Sequence, residues 1–145
     1  MIEQKQRQLV ISEARSWCGT PFHMNAFVKG VGVDCGRFLV ACFSAGGINV
    51  PDIKDLPIMS AQWHLHKNDE RYLELITKFT KITQAPQPGD IVMMRIGKGY
   101  AHSGILVELP LVMIHASPPC VLKQDLEQLP RLRKHERIFL TPWGI

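Results

Sequence analysis

The sequence predicts an α+β fold, with helices in its N-terminal half and strands in its C-terminal half. Three observations favour it: apolar residues recur every three to four positions early in the chain, β-branched and bulky apolar runs dominate later, and the two patterns do not alternate. The 145 residues, 46% of them hydrophobic and 21% charged, fit one globular domain over 1–145. This composition excludes disordered, collagen-like and coiled-coil proteins.

Two helices are expected in the first 47 residues, with a glycine-rich loop between them. Apolar residues recur at helical spacing from Glu3 to Trp17, and a Gly-Thr-Pro sequence then ends that helix. Residues 19–34 are predicted as a loop. The apolar run 35–45 is predicted as a mostly buried helix with Asp34 as its N-cap and Gly46-Gly47 as its stop.

The rest of the chain is expected to form one or two helices followed by four strands. The helices fall between Met59 and about Lys81. Turns are predicted at residues 86–90 and at Gly97 to Gly99. The predicted strands are residues 91–96, 102–108, 112–116 and 138–141.

Charge and hydropathy argue against nucleic-acid-binding and membrane proteins. The net charge is only +4, and the densest basic stretch, Arg131 to Arg137, has no aromatic residues for base stacking. A solvated surface is expected there; contact with nucleic acid or an acidic envelope polymer is the alternative. No apolar stretch approaches the roughly 20 residues that cross a bilayer. Because residues 1–8 lack a signal-peptide core, the protein is expected to be cytoplasmic when made.

Of the four cysteines, Cys35 is the one whose predicted position favours a reactive thiol. The four cysteines, at positions 18, 35, 42 and 120, have no paired spacing, so free thiols are expected. Cys35 lies in the first turn of a predicted helix, where the dipole and N–H groups favour a thiolate and can also bind an oxyanion. Cys35 is therefore a candidate nucleophile, with simple packing as the alternative, and the other three are expected to pack.

Two predicted strands carry a histidine each. His102 opens one strand and His115 lies in the next. An antiparallel arrangement would bring both imidazoles to one end of a sheet, as a base and the partner that fixes its tautomer. For each histidine alone, an ordinary core or surface position is the alternative.

Five short motifs follow one another between residues 12 and 118. They are Gly19-Thr20-Pro21-Phe22, Gly32-Val33-Asp34-Cys35-Gly36, Pro88-Gly89-Asp90-Ile91-Val92, Ala101-His102-Ser103-Gly104-Ile105 and Ile114-His115-Ala116-Ser117. In this order they resemble the NlpC-like cell-wall cysteine peptidases. The stretch 28–35 is most similar to members that are encoded by phages and prophages and associated with tails.

The resemblance implies a papain-like fold, in which a nucleophile-bearing helix packs on a C-terminal antiparallel sheet. It also implies hydrolysis of amide bonds in peptidoglycan stem peptides, typically between D-glutamate and a diamino acid, without a cofactor. Carried over by position, Cys35 is the nucleophile, His102 the general base and His115 the orienting third residue. The implied partners are peptidoglycan stem peptides and phage tail proteins, with the protein carried on a virion or released to the cell wall.

Four further residues are expected to line the substrate site. Asp34 matches an acidic residue that helps hold substrate in the family. Gly36 stands where the family usually has Ser, and Phe22 where a Tyr commonly contributes to the oxyanion site. His23 is the candidate to replace that Tyr.

Three other functions are weighed against the peptidase. A tail-assembly or structural protein would keep the fold without catalysis, and another papain-like thiol acyltransferase or amidase would keep the chemistry on a different substrate. A metal site is not expected, because His64 and His66 point apart in a predicted helix and no paired Cys or His spacing exists.

Overall fold

The computed structural model describes residues 2–56, 71–96, 99–128 and 136–144. Within these ranges the helices come first and most strands later, which confirms the α+β prediction. The helices are α1 (Glu3–Ser16), α2 (Cys35–Ala45) and α3 (Arg71–Thr77), with short 3-10 helices at Ile53–Asp55 and Leu126–Gln128. The strands are β1 (Phe27–Val28), β2 (Gly32–Val33), β3 (Lys81–Ile82), β4 (Ile91–Ile96), β5 (Gly99–Glu108), β6 (Val112–Ser117), β7 (Cys120–Asp125) and β8 (Arg137–Thr141).

Helices α1 and α2 pack against each other and bury different amounts of surface. Helix α1 buries one stripe, which includes Val10 and Ala14, and it ends at Ser16 with Trp17 as its C-cap. Helix α2 is buried along most of its length, as its nearly continuous apolar sequence predicts. Its bounds agree with the prediction, and Gly47, at φ +80°, follows its end in the left-handed conformation that glycine tolerates best.

The described strands from β3 onward form a six-stranded antiparallel sheet in the order β3-β8-β4-β5-β6-β7. All four predicted strands are confirmed, within a few residues at their ends. Side chains alternate between two hydrophobic clusters: Ile105 and Ile114 belong to the cluster that contains α1 and α2, whereas Leu106 and Met113 belong to a second cluster.

Three parts of the secondary-structure prediction are wrong. Residues 19–34 are not all loop, because β1 and β2 pair as a short hairpin within them. The helical region does not reach Lys81: α3 ends at Thr77, and Lys81 pairs with β8. Strand β7 was not predicted at all. The two-residue strands are too short to show an alternating pattern. Strand β7 is an edge strand whose last three residues, Lys123 to Asp125, are polar and at least partly exposed.

Some predicted features fall outside the described residues. These are the helical residues between 59 and 70, the Gly97-Lys98 part of a predicted turn, and the basic residues 131–135. Gly99 itself begins β5. Within the described ranges, no helix has the length and apolar character needed to cross a membrane.

A buried ion pair joins α1 to the turn before β4. The guanidinium of Arg7 donates to Asp90 Oδ1 at 2.9 Å and to the carbonyl of Pro88 at 3.0 Å. It also lies 4.1 Å from the centre of the Trp143 ring. Both side chains of the pair are almost fully buried, at 7% and 1% exposed. Arg7 thus connects α1, the turn before β4 and the residues after β8.

Candidate active site

Cys35, the candidate nucleophile, is the first residue of α2, as predicted, and is 6% exposed. The predicted N-cap is confirmed, since the Asp34 carboxylate accepts a hydrogen bond from the backbone N–H of Arg37 at 2.9 Å. The same carboxylate accepts from the Arg37 side chain at 2.9 Å and from the backbone N–H of Asn25 at 2.7 Å. Asp34 therefore ties the preceding loop to the helix that starts at Cys35.

Asp34 has a structural role beside its expected contact with substrate. The residue is only 4% exposed, and its oxygens are bonded to Asn25 and Arg37. Its neighbour in the predicted substrate site, Gly36, is half-buried in the first turn of α2. The substrate contacts of both residues stay predictions.

The structure brings His102 and His115 together from adjacent strands. His102 lies on β5 and His115 on β6, and these strands pair antiparallel. The His102 Nε2 atom is 2.6 Å from the His115 Nδ1 atom, and the two rings meet edge to face with centroids 4.9 Å apart. Helix α2, which begins at Cys35, packs against both strands.

Gly104 makes room for this contact. Because Ile105 pairs with Ile114, Gly104 faces His115 across the two strands. A Cβ atom at Gly104 would lie 2.9 Å from the Cβ of His115 and 2.8 Å from the Sδ of Met113. Real Cβ atoms do not approach so closely, so the position requires glycine.

A third strand contributes a residue that the sequence did not suggest. The Oε1 atom of Gln124, on β7, is within hydrogen-bond distance of the His115 Nε2 atom. A single glutamine has no motif that marks it, and β7 itself was not predicted. The register of β6 and β7 is the information that could have found it.

The environment of His115 favours its neutral form. Burial lowers the pKa of His115 because a charged imidazolium loses solvation there, and the hydrogen bond to Gln124 offsets only part of that effect. His115 is 4% exposed, whereas His102 is half-buried. Burial therefore favours the uncharged imidazole of His115, which carries one N–H.

Phe22 and His23 lie between the hairpin and the end of β6. The backbone N–H of Phe22 donates to the carbonyl of Pro119 at 3.0 Å, and that of His23 donates to Val33 at 3.1 Å. The Phe22 ring packs partly against the main hydrophobic cluster, while His23 is exposed. Backbone pairing thus links these two predicted substrate-site residues to Val33, two residues before Cys35.

The remaining cysteines have different environments. Cys42 is fully buried, as predicted, and burial raises the pKa of its thiol well above the usual range. The expectation that Cys18 packs is wrong, because this residue is exposed. Neighbouring atoms still desolvate its sulfur enough to raise the pKa of the Cys18 thiol. Cys120 is half-buried.

Within the part of the chain that the structure describes, no group of three or more His, Cys, Asp or Glu side chains is arranged to hold a metal ion. His23, Cys35, His102 and His115 belong to this part. His64 and His66 lie outside it.

Comparison with solved structures identifies the fold. NlpC1 from Trichomonas vaginalis superimposes with a TM-score of 0.62 at 14% identity over 97% of this chain, and the Staphylococcus aureus lipoprotein-like NLP/P60 protein with 0.64 at 16% over 94%. This chain spans 45% and 42% of those two proteins. RipD from Mycobacterium tuberculosis, a non-catalytic NlpC/P60 domain protein adapted to peptidoglycan binding, gives 0.58 at 15% over 95% of this chain and 98% of its own.

These similarities confirm the papain-like α+β fold that the motifs implied. None of the curated protein sequences compared with the chain is significantly similar. The sequence pattern that defines the NlpC/P60 family matches residues 16–128, which include Cys35, both histidines and Gln124. The chain therefore belongs to the NlpC/P60 family.

Proposed function

We propose that the protein is a cysteine peptidase that hydrolyses amide bonds in peptidoglycan stem peptides. Cys35 is the nucleophile, His102 the general base and His115 the residue that orients it. The observation that carries this proposal is the 2.6 Å contact between His102 and His115 on the two strands that support α2. Membership of the NlpC/P60 family supports the choice of peptidoglycan as substrate.

In the proposed reaction, His102 takes the thiol proton and the Cys35 sulfur attacks the substrate carbonyl carbon. The developing oxyanion is stabilised by backbone N–H groups at the start of α2, including that of Cys35. The proton on His102 is then transferred to the departing amine as the C–N bond breaks. Water, deprotonated by His102, hydrolyses the resulting thioester and releases the carboxylate and the free thiol.

Purified sacculi and defined muropeptides test this mechanism, with products identified by mass. Cys35→Ala and His102→Ala are each expected to lower kcat/KM by about 1,000-fold or more, because the first variant lacks the nucleophile and the second lacks the general base. Cys18→Ala, which removes an exposed thiol, is the matched control and should keep full activity. Activity retained by Cys35→Ala would contradict the proposal. Acyl transfer to an amine, in place of hydrolysis, would identify the thiol acyltransferase alternative.

Non-catalytic peptidoglycan binding or tail assembly is a second candidate function. Phe22 favours it, because its ring packs on the hydrophobic cluster and has no hydroxyl to offer an oxyanion. RipD combines the same fold with a non-catalytic, peptidoglycan-binding role. The motif around residues 28–35 further suggests a phage-derived protein that reaches the wall on a tail or after release from the cell.

Alkylation of the four thiols separates the two candidates. In a peptidase, iodoacetamide should modify Cys35 at a pH where Cys18 reacts slowly, since the pKa of the Cys18 thiol is raised. His102→Ala should remove this difference. Equally slow reaction of Cys35 and Cys18 in the native protein would favour the non-catalytic function.

A further inference from the structure

His102, His115 and Gln124 form a continuous row of hydrogen-bonding side chains across β5, β6 and β7. We propose that Gln124 is a positioning residue, which fixes the tautomers of His115 and His102 so that the Nδ1 atom of His102 is the unprotonated one. This inference rests on the proposed function for its catalytic consequence. Its structural part, the two tautomers, can be measured without any activity.

The direction of the hydrogen bonds follows from the chemistry of the three groups. An amide oxygen only accepts, so the His115 Nε2 atom beside Gln124 Oε1 must carry a proton. A neutral imidazole has one N–H, and the His115 Nδ1 atom therefore accepts from His102. The His102 Nε2 atom is then the donor, and its Nδ1 atom has the lone pair that a general base needs.

The sheet register explains why a residue of this length is required. Gln124 pairs with Met113, two residues from His115, so the two side chains share a face and lie diagonally across the strands. A diagonal separation of about 7–8 Å between Cα atoms is within reach of a glutamine side chain. The half-buried position of Gln124 and the buried one of His115 limit competition from water.

The opposite orientation of the amide would give a different site. If the Gln124 amide nitrogen donated to His115, the His115 Nδ1 atom would carry the proton and donate to His102. His102 would then be protonated on Nδ1 and could not take a proton there. The orientation of one amide group thus decides which ring atom of His102 acts as a base.

Nitrogen-15 labelling of the histidines tests the tautomers directly, in wild-type protein and in Cys35→Ala at about pH 8, where unperturbed imidazoles are neutral. Both His102 and His115 are expected to be protonated on Nε2. Gln124→Met keeps the length but removes the acceptor, so His115 should become a mixture of tautomers. Gln124→Glu restores an oxygen acceptor and should restore the Nε2–H form. Gln128→Met, at an exposed glutamine nearby, is the control.

Kinetics test the catalytic consequence. Gln124→Met should lower kcat by about 10- to 100-fold, as loss of the group that orients a functional histidine does elsewhere, with KM changed less than about twofold. Gln124→Glu should recover most of the kcat at the same pH. Thermal unfolding of each variant verifies that the comparison is made between folded proteins.

Two results would overturn the inference: Nδ1–H tautomers in the wild type, or unchanged tautomers and unchanged kcat in folded Gln124→Met. A wild-type protein that cleaves no muropeptide would instead contradict the proposed function. In that case the tautomers in wild type, Gln124→Met and Gln124→Glu would still confirm or refute the positioning role.

Discussion

At the residue scale, the contact between His102 and His115 depends on the absence of a side chain at Gly104. His115 reaches His102 because no side chain stands at position 104, where a Cβ would also come within 2.9 Å of the Ile114 carbonyl oxygen. The Ile114 backbone belongs to β6 and cannot move without disturbing the sheet. The space at Gly104 is therefore part of the candidate site.

Gly104→Ala is expected to destabilise the protein by about 1–3 kcal/mol and to displace His115, since overpacking a buried position forces side chains and backbone to shift. Urea unfolding measures the first effect and the histidine nitrogen spectra the second. Gly30→Ala is the control: no atom lies within 4 Å of its Cβ position, and its cost comes only from the φ of +83°. Unchanged histidine signals in folded Gly104→Ala would contradict this account.

His115 is also expected to make stability depend on pH. Its folded pKa is lowered by burial, whereas the unfolded value is near 6.5. Between these two values the unfolded chain binds more protons, so stability is fully present above about 6.5 and falls as pH decreases towards the folded pKa. The slope for one proton is at most about 1.4 kcal/mol per pH unit.

Urea unfolding of wild type and His115→Asn from about pH 5 to pH 7 measures this contribution. The wild type should lose more stability than the variant as the solution becomes more acid. His102 and Gln124 face His115 in the site, and both are present in the two proteins. Parallel pH profiles would show that His115 titrates alike in the folded and unfolded chains.

At the element scale, the sequence was most informative where an element is long and has one dominant pattern. Helix α2 was predicted with its exact bounds because a buried apolar run follows an Asp and precedes two glycines. The strands that carry His102 and His115 were also predicted, and with them the contact between the imidazoles. Strand β7 was not predicted, because an edge strand with exposed polar residues lacks a strong alternation of apolar and polar residues.

Because β7 was not predicted, the prediction of the candidate site was incomplete. Cys35, His102 and His115 are chemically distinctive and belong to recognisable motifs. Gln124 is a common polar residue whose position matters only through the pairing of Gln124 with Met113. Register between distant segments is set by tertiary packing, which periodicity in one segment does not reveal.

At the scale of the whole molecule, Arg7 and Asp90 join parts of the chain that are far apart in sequence. Asp90→Leu is expected to lower the free energy of unfolding by about 3 kcal/mol, because it removes the buried carboxylate that pairs with the buried Arg7 guanidinium. Glu108→Ala, which breaks an exposed pair with Lys123, should cost less than about 1 kcal/mol. Urea unfolding of both variants makes the comparison, and equal losses would mean that the Arg7–Asp90 pair contributes no more than a surface contact.

The place of β8 in the sheet has a consequence for how the molecule is made. This strand comes last among the described strands in the chain, yet it lies between β3 and β4 in the sheet. During translation, β4 therefore keeps an open edge until residue 141 has left the ribosome, although β5, β6 and β7 are already available on its other side. Pairing between segments this far apart is slow, and an unpaired edge invites association with other chains. We therefore expect the nascent chain to expose the β4 edge, and to be most prone to association there, until β8 has been made and has paired.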